Sequence, residues 1–403
     1  MKHLNKNSLL FVFVILFLIH GFSRHYIDSV KNEIRICIEE DQGLSDKFVR
    51  LKTNIDDISQ NQVRYHDRLM DINSVRENLM GTRVIIKSDT TVVKADSGSL
   101  IIPGDKIDEE EIYKLTSRLK DLQDIAESNG AKLLYCAAPN KSMYNTAPKN
   151  INNYASENID VFLKQLKIAG VPCLDLRVFL NANIEIEEMF YYTDHHWTTR
   201  SGFLAASAIC EELNRLYGFE YNTEYVDISN YNVEKLPNWF LGSYGKKVGV
   251  FFTWRGADDF EVITPKFETY FTEERPDKNE VKTGTFEETV MVQGKLVKDY
   301  YRQNTYSAYS GGDFYLQIMR NNLNPDGKKI LMIRDSFACV VAPFLALHTS
   351  ELDVCDIRDE DYIAGERLNM AEYIAEIKPD YVIVLYSGVS TLEKPARRYD
   401  FSE

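Results

Sequence analysis

Apolar positions fall into three regimes along the chain. The first is Leu9 to Ile19, an unbroken apolar run (LLFVFVILFLI) with Lys2 and Lys6 before it and Gly21, Phe22 and Arg24 after it. A short apolar stretch behind a basic flank is a signal-type segment, with its lysine side facing the cytoplasm and the rest of the chain exported. Gly21 and Ser23 form only a weak small-x-small cleavage pattern and no Ala-x-Ala stands there. Residues 1–24 therefore read as an uncleaved anchor in the cell membrane; cleavage would make the protein secreted. In the second regime Ile27, Val30, Ile34, Cys37, Leu44, Phe48, Leu51, Ile55, Ile58, Tyr65, Leu69 and Ile72 recur in steps of three and four, broken at Asp41 and Gln62. This seven-residue repeat predicts a helical stalk over residues 25–80, interrupted at Gly43. Its seam closes in a coiled coil, which would make the protein a homo-oligomer, or on a helix folded back on its own domain. Unbroken, the stalk would reach roughly 70 Å.

From residue 81 to 403 the pattern alternates between helical spacing and short apolar runs. Helices are predicted over Asp108–Asn129, around Ile159–Ala169 and over Arg200–Leu216, and strands at Lys132–Pro139, VPCLDL, Lys329–Ile333 and Tyr381–Tyr386. Continuous apolar strands between helices predict a mostly parallel sheet covered on both faces, an α/β fold. Between about 244 and 309 the texture becomes aromatic and alternating (VGVFFTW, FEVITPKF), with a polar stretch from Glu273 to Thr285. That region reads as an antiparallel β-rich insertion.

Composition narrows the function. The 403 residues carry a formal charge of -14 and no long Lys/Arg run, so an electropositive nucleic-acid groove is excluded. The six cysteines stand in no CxxC pair and no metal-like spacing, and most sit in apolar runs as small buried hydrophobes.

Of seven histidines, His3, His20, His25 and His66 belong to the anchor and stalk, leaving His195, His196 and His348. Two of these stand in YYTDHHWTTR. On an extended segment Asp194 and His196 share a face and His195 points away, so a carboxylate meets an imidazole and fixes its tautomer. The second piece is KKILMIRDSFACVVAPFL, where a buried strand ends in Arg334-Asp335-Ser336. A serine at the carboxyl end of a strand lies at the rim where α/β sheets bind ligands. The bland alternative is that Asp-Ser merely caps a helix, and Pro343 requires that the helix kink or begin there. Asp194, His196 and Ser336 together supply the orienter, base and nucleophile of acyl transfer.

The run DHHWT (Asp194 to Thr198) resembles the signature of the bacterial DHHW family, similar to SGNH-hydrolase-like proteins related to alginate and cell-wall polysaccharide O-acetyltransferases. Pro139-Asn140-Lys141, WFLGS (Trp239 to Ser243), YSAYSGG (Tyr306 to Gly312) and IRDSFACVVAPFL (Ile333 to Leu345) carry the resemblance from about residue 81 onward. It implies a three-layer α/β/α SGNH-hydrolase-like domain, a catalytic Asp194, His196 and Ser336, a polysaccharide substrate, and a membrane-bound O-acyltransferase as the partner that delivers acetyl groups. No cofactor is implied. The sequence departs from the usual Gly-Asp-Ser block in Arg334, and in Cys339 where many relatives carry a polar residue. Backbone N–H groups near Ser336, with Gly242 or Ser243, are candidates for an oxyanion hole, although Gly242 fits a plain turn equally. Lys141, Tyr309, Trp197 and His195 are candidates to line a sugar cleft; the first reads equally as a solvated strand-end charge, the aromatics as core. Two rival classes remain: a metal-dependent hydrolase using Asp194, His195 and His196, and a non-catalytic anchored scaffold or carbohydrate-binding protein.

Overall fold

The computed structural model describes residues 24–39, 65–86, 90–358, 368–388 and 399–401, with single helical positions at 51, 54, 55 and 58. The chain divides into two units, residues 1–80 and 81–403. The anchor run Leu9 to Ile19 lies outside the described residues, and among those described no helix is long and apolar enough to cross a membrane.

In the first unit two helices are described, α1 (Arg24–Glu39) and α2 (His66–Leu79). Asn54 donates a side-chain hydrogen bond to Glu33. On one continuous helix these positions would stand about 30 Å apart at 1.5 Å per residue. This contact goes with the folded-back alternative for the seam; most of the residues between α1 and α2, Gly43 among them, lie outside the described residues. Ile27, Ile34, Leu69 and Ile72 stay exposed along the repeat, as does Ile38 beside it.

Among the described residues, the second unit holds thirteen strands. They are β1 (Val84–Ile86), β2 (Thr91–Lys94), β3 (Leu100–Ile101), β4 (Lys132–Ala138), β5 (Cys173–Asp175), β6 (Tyr231–Phe240), β7 (Asp258–Pro265), β8 (Phe271–Arg275), β9 (Glu280–Gly284), β10 (Leu316–Asn321), β11 (Lys329–Arg334), β12 (Glu351–Cys355) and β13 (Tyr381–Ser387). Eight of them form one mixed sheet in the order β5-β4-β13-β11-β12-β10-β8-β9. From β5 to β12 the pairs are parallel; β10, β8 and β9 extend the sheet antiparallel.

The alternation along β4 shows why its apolar run is continuous. Leu133, Tyr135 and Ala137 pack under α3 (Glu109–Ser128) and α4 (Ala155–Ile168), whereas Leu134, Cys136 and Ala138 pack under α5 (Leu176–Asn183) and α6 (Thr199–Tyr217). Both faces of the strand are covered, as buried parallel strands require. The result is three layers, helices on either side of the sheet. Because β4, β13 and β11 run parallel and in register, Ala138, Ser387 and Arg334 end at one rim.

The β-rich insertion expected at 244–309 takes another form. VGVFFTW is not a strand: Val248 closes the helix α7 (Ser243–Val248), and turns follow. Phe252 is buried there while Phe251 and Trp254 face outward, so its apolar residues pack singly rather than along a pleat. FEVITPKF forms β7, paired with β6 from upstream of the insertion. The polar stretch is the hairpin β8–β9 on the edge of the main sheet. Its outer strand is solvated, and charged edge strands resist pairing with other chains.

At the opposite rim from Ser336, His348 lines a cavity of about 650 Å³ together with Tyr221, Tyr225 and Phe267. Its ring is buried, and Nδ1 has no hydrogen-bond partner among the described residues. Burial pushes its pKa down from 6.5 to about 4. Between those values the unfolded chain holds a proton that the folded one lacks, so stability rises with pH across that window and is lost on acidification. His348→Gln is expected to remove up to about 3 kcal/mol of that pH dependence, measured as the difference between wild-type and variant urea midpoints at pH 4.5 and pH 7. Equal pH slopes for the two proteins would contradict it.

Candidate active site

Two stretches of chain meet at the carboxyl rim of the sheet. The first leaves β11. The Asp335 N–H donates to the Leu385 carbonyl, and the Asp335 carboxylate accepts from the Phe337 N–H at 2.9 Å and from both the N–H and hydroxyl of Ser387 at 2.8 and 2.7 Å. Asp335 thus caps the 3₁₀ turn Ser336–Val340, while Ser336 projects its hydroxyl from a half-buried position. Cap and projecting hydroxyl coexist because they belong to adjacent residues. Pro343 causes no kink: the 3₁₀ turn ends before it, and the short helix α8 (Ala342–Ala346) begins with the proline in its first turn, where its missing N–H costs nothing.

The second stretch enters α6. Residues 191–196 form a tight loop closed by a bridge between Phe190 and Trp197, and the Thr198 side chain caps α6. Gly202 on α6 permits close approach to the Ser336 turn, since a Cβ there would lie 2.3 Å from Val340 Cγ2.

The meeting produces a chain of hydrogen bonds. Ser336 Oγ lies 2.7 Å from His196 Nε2, and His196 Nδ1 lies 2.5 Å from Asp194 Oδ1. An ionised carboxylate only accepts, so Nδ1 carries the proton and Nε2 is left to receive one from Ser336. Burial works against the Asp194 charge, but His195, His196 and the Ser243 N–H outweigh it and hold the carboxyl well below the usual range. Oδ1 also accepts the His196 N–H at 3.0 Å, and Oδ2 accepts the Ser243 N–H at 2.6 Å.

Gly242 and Ser243 serve Asp194. The Gly242 N–H donates to Thr193 Oγ1 at 2.8 Å and the Ser243 N–H to Asp194, which occupies both groups expected in the oxyanion hole. Gly242 is more than a turn residue: a Cβ there would fall 2.1 Å from Asp194 Cβ and 2.5 Å from its N.

His195 corrects the expected alternation. The loop is not extended, so its ring does not point away: it lies 3.7 Å from the His196 ring, centroid to centroid, with Nδ1 2.8 Å from Ser243 Oγ. Desolvation, then the neighbouring His196, lowers its pKa, which leaves the ring neutral at physiological pH. Its side chain remains 35% exposed, at the mouth of the site.

Lys141, expected as a solvated charge or a cleft residue, is neither. It is buried, and its ammonium donates to the Tyr191 and Tyr192 carbonyls at 2.9 and 3.0 Å. From the other side the Asp258 carboxylate accepts the Tyr192 and Thr193 N–H groups and the Thr193 hydroxyl. Burial pushes Lys141 down and Asp258 up, and their mutual attraction opposes both shifts. A cation on the carbonyls and an anion on the amides clamp the peptide leading into Asp194. Trp197 and Tyr309 are core rather than cleft wall. Both are fully buried, with Trp197 Nε1 donating to the Phe337 carbonyl and the Tyr309 hydroxyl held by both backbone groups of Ile263.

The two departures at the serine turn lie beneath it. Arg334 is buried, paired with Asp313 at 2.5 Å and donating to the Gly312 carbonyl at 2.8 Å, beside the ion pair of Arg358 and Asp356. Cys339 lies against Arg334, with its thiol pushed up to about 12 by burial, so it is not a nucleophile at neutral pH.

Asp258 and Tyr306 belong to the site but were not singled out from sequence. Tyr306 stacks on His196 at 3.9 Å with planes 12° apart. Its place at the head of the YSAYSGG segment was the available signal; Asp258 had none. The donor atoms of Asp194, His195 and His196 lie within 4.8 Å of one another, close enough to converge on a metal ion. Each residue is already bonded within the protein, however, and the buried Lys141 cation stands behind them.

A serine turn and an Asp-x-His loop thus stand at the rim of a three-layer sheet, in an SGNH-like α/β fold. Residues 103–232 match the family model of the SGNH hydrolase-like domain, acetyltransferase AlgX. The fold is shared with Bacillus cereus PatB1, solved with a sulfonyl adduct, at 19% identity and a TM-score of 0.63 over 80% of this chain and 99% of that one. It is shared equally with a DHHW family protein from Eubacterium siraeum, at 19% identity and a TM-score of 0.60 over 78% and 96%. The curated proteins give no match.

Gly242→Ala is expected to displace Asp194 and lower stability by about 1–3 kcal/mol, the usual cost of overpacking. Thermal melting reads the loss. A variant that melts like wild type would show that the close approach at Asp194 has room to relax.

Proposed function

We propose that this protein is a serine acyl-ester enzyme that transfers or hydrolyses acetyl groups on a cell-surface polysaccharide, with Ser336, His196 and Asp194 as its catalytic triad. The carrying observation is the continuous path from Ser336 Oγ to His196 Nε2 at 2.7 Å and from Nδ1 to Asp194 at 2.5 Å. That is the geometry a hydroxyl needs to lose its proton as it attacks.

The reaction has two halves. His196 accepts the Ser336 proton while Oγ bonds to the acetyl carbon; the bond to the donor oxygen then breaks, and that oxygen takes the proton from His196. In the second half a sugar hydroxyl or water gives its proton to His196, attacks the acetyl-serine, and Ser336 recovers its hydroxyl. Asp194 stays ionised and stabilises the imidazolium. With Gly242 and Ser243 committed to Thr193 and Asp194, the Ser336 N–H is the backbone donor left for the oxyanion; it makes no hydrogen bond among the described residues. The family model's acetyltransferase description supports acetyl as the group moved. The N-terminal apolar run supports a membrane-anchored, extracytoplasmic placement, where a membrane-bound O-acyltransferase would supply acetyl groups. The exposed apolar positions of α1 and α2 support self-association through this unit.

Acetyl release from a chromogenic ester, with and without an oligosaccharide acceptor, tests the reading. Wild type is expected to turn over and to be labelled at Ser336 by a fluorophosphonate or sulfonyl fluoride. Ser336→Ala and His196→Ala are expected to fall by about 10³-fold or more. Acceptor-dependent release marks a transferase, and release to water an esterase. An unlabelled wild type, with Ser336→Ala leaving surface acetylation unchanged, would establish the scaffold reading instead.

A further inference from the structure

The hydrogen bonds that place His196 leave one freedom unfixed. Asp194 holds Nδ1 and Ser336 holds Nε2, at roughly opposite ends of the ring. Two bonds along one axis leave tilt about that axis to the soft side-chain torsions alone, and tilting spoils the in-plane alignment that proton transfer requires. Contacts on the ring faces must supply the missing restraint.

Both faces are occupied. The Tyr306 ring lies 3.9 Å from the His196 centroid, nearly parallel at 12°, and the His195 ring lies at 3.7 Å and 37°. Two rings so close to a third do not fit on one face, so His196 is held between them. His195 is partly exposed and bonded to Ser243 Oγ; Tyr306 is fully buried. The Tyr306 hydroxyl donates to the Phe337 carbonyl at 3.2 Å, where Trp197 Nε1 also donates at 3.0 Å. The ring that braces the imidazole is therefore fastened to the residue that follows the nucleophile. A buried phenol face also carries partial negative charge toward the ring it covers, which favours imidazolium over imidazole.

We propose that Tyr306 is a positioning residue of this site: its ring fixes the tilt of the His196 imidazole toward Ser336 and stabilises the protonated form that arises during acyl transfer. This rests on the serine mechanism proposed above. Trp197 keeps the Phe337 carbonyl bonded if the Tyr306 hydroxyl is removed, so the role of the ring is separable from that of the hydroxyl.

The test is the rate of covalent labelling at Ser336 by a fluorophosphonate, followed by intact mass from about pH 5 to pH 9 on the full chain. Tyr306→Leu, which removes the aromatic face, is expected to label at least about tenfold more slowly, with the acid limb of its pH profile displaced to lower pH. Tyr306→Phe, which keeps the face, is expected to recover labelling to within about threefold with the limb in place. Should the leucine variant fail to fold, Tyr306→Met replaces it. Leucine labelling at the wild-type rate, phenylalanine and leucine slowed alike, or slowing without displacement of the acid limb would each overturn the proposal while the serine mechanism stands. An unlabelled wild type would overturn the mechanism itself.

Discussion

A carboxylate buried at the edge of a core has to be surrounded by donors, and the site is organised around meeting that demand for Asp194. An ionised carboxyl without partners is costly to hold away from water. Asp194 meets the cost by accepting from the backbone and ring of His196 and from the Ser243 N–H. These donors come from two stretches of chain nearly fifty residues apart, so satisfying one charge closes the 191–196 loop against the amino end of α7. Gly242 is the steric condition for that closure, because any side chain there would occupy the space of Asp194 itself. The carboxylate's position then sets where the Nδ1 edge of the imidazole lies, and the Tyr306 and His195 rings lie against its faces.

The same logic operates twice more around the site. Asp335 is satisfied by Phe337 and Ser387, which ties the serine turn to the end of β13. Asp258 and Lys141 grip the Tyr191–Thr193 peptide from opposite sides. Each buried charge is placed where backbone groups would otherwise lack partners, so loops at the rim gain the rigidity that strands gain from their ladders. Arg334 extends the pattern beneath the turn through its ion pair with Asp313.

How much of this could be read in the chain depends on the range of the interaction concerned. The apolar runs of β4, β11 and β13 announce strands covered on both faces, and the helices between them carry their own periodicity. Asp194 and His196 are two residues apart, so their pairing is local and legible. His195 departs from strand alternation because residues 191–196 are a closed loop rather than an extended strand. VGVFFTW was misread because alternating apolar residues also arise where each packs separately, and the β8–β9 hairpin hid behind the polarity that protects an edge strand. Gly242, Lys141 and Asp258 act on the 191–194 peptide from positions about fifty or more residues away, and no local pattern encodes such a distance. Tyr306 was visible only as part of a segment, since its partner lies 110 residues upstream.

One further consequence concerns which proton at this rim is free to move. The Asp335 carboxylate, the Gly242 and Ser243 amides, the Lys141 ammonium and the Trp197 indole are all engaged with backbone or carboxylate partners. The Ser336 hydroxyl differs: it faces an imidazole whose other nitrogen is already fixed, from a residue that retains access to solvent. A site that commits its other polar groups in the ground state has little left to reorganise when charge develops on the serine oxygen. On the proposed mechanism, preorganisation follows from how the fold satisfies its buried charges, with the Ser336 hydroxyl and N–H left for the reaction.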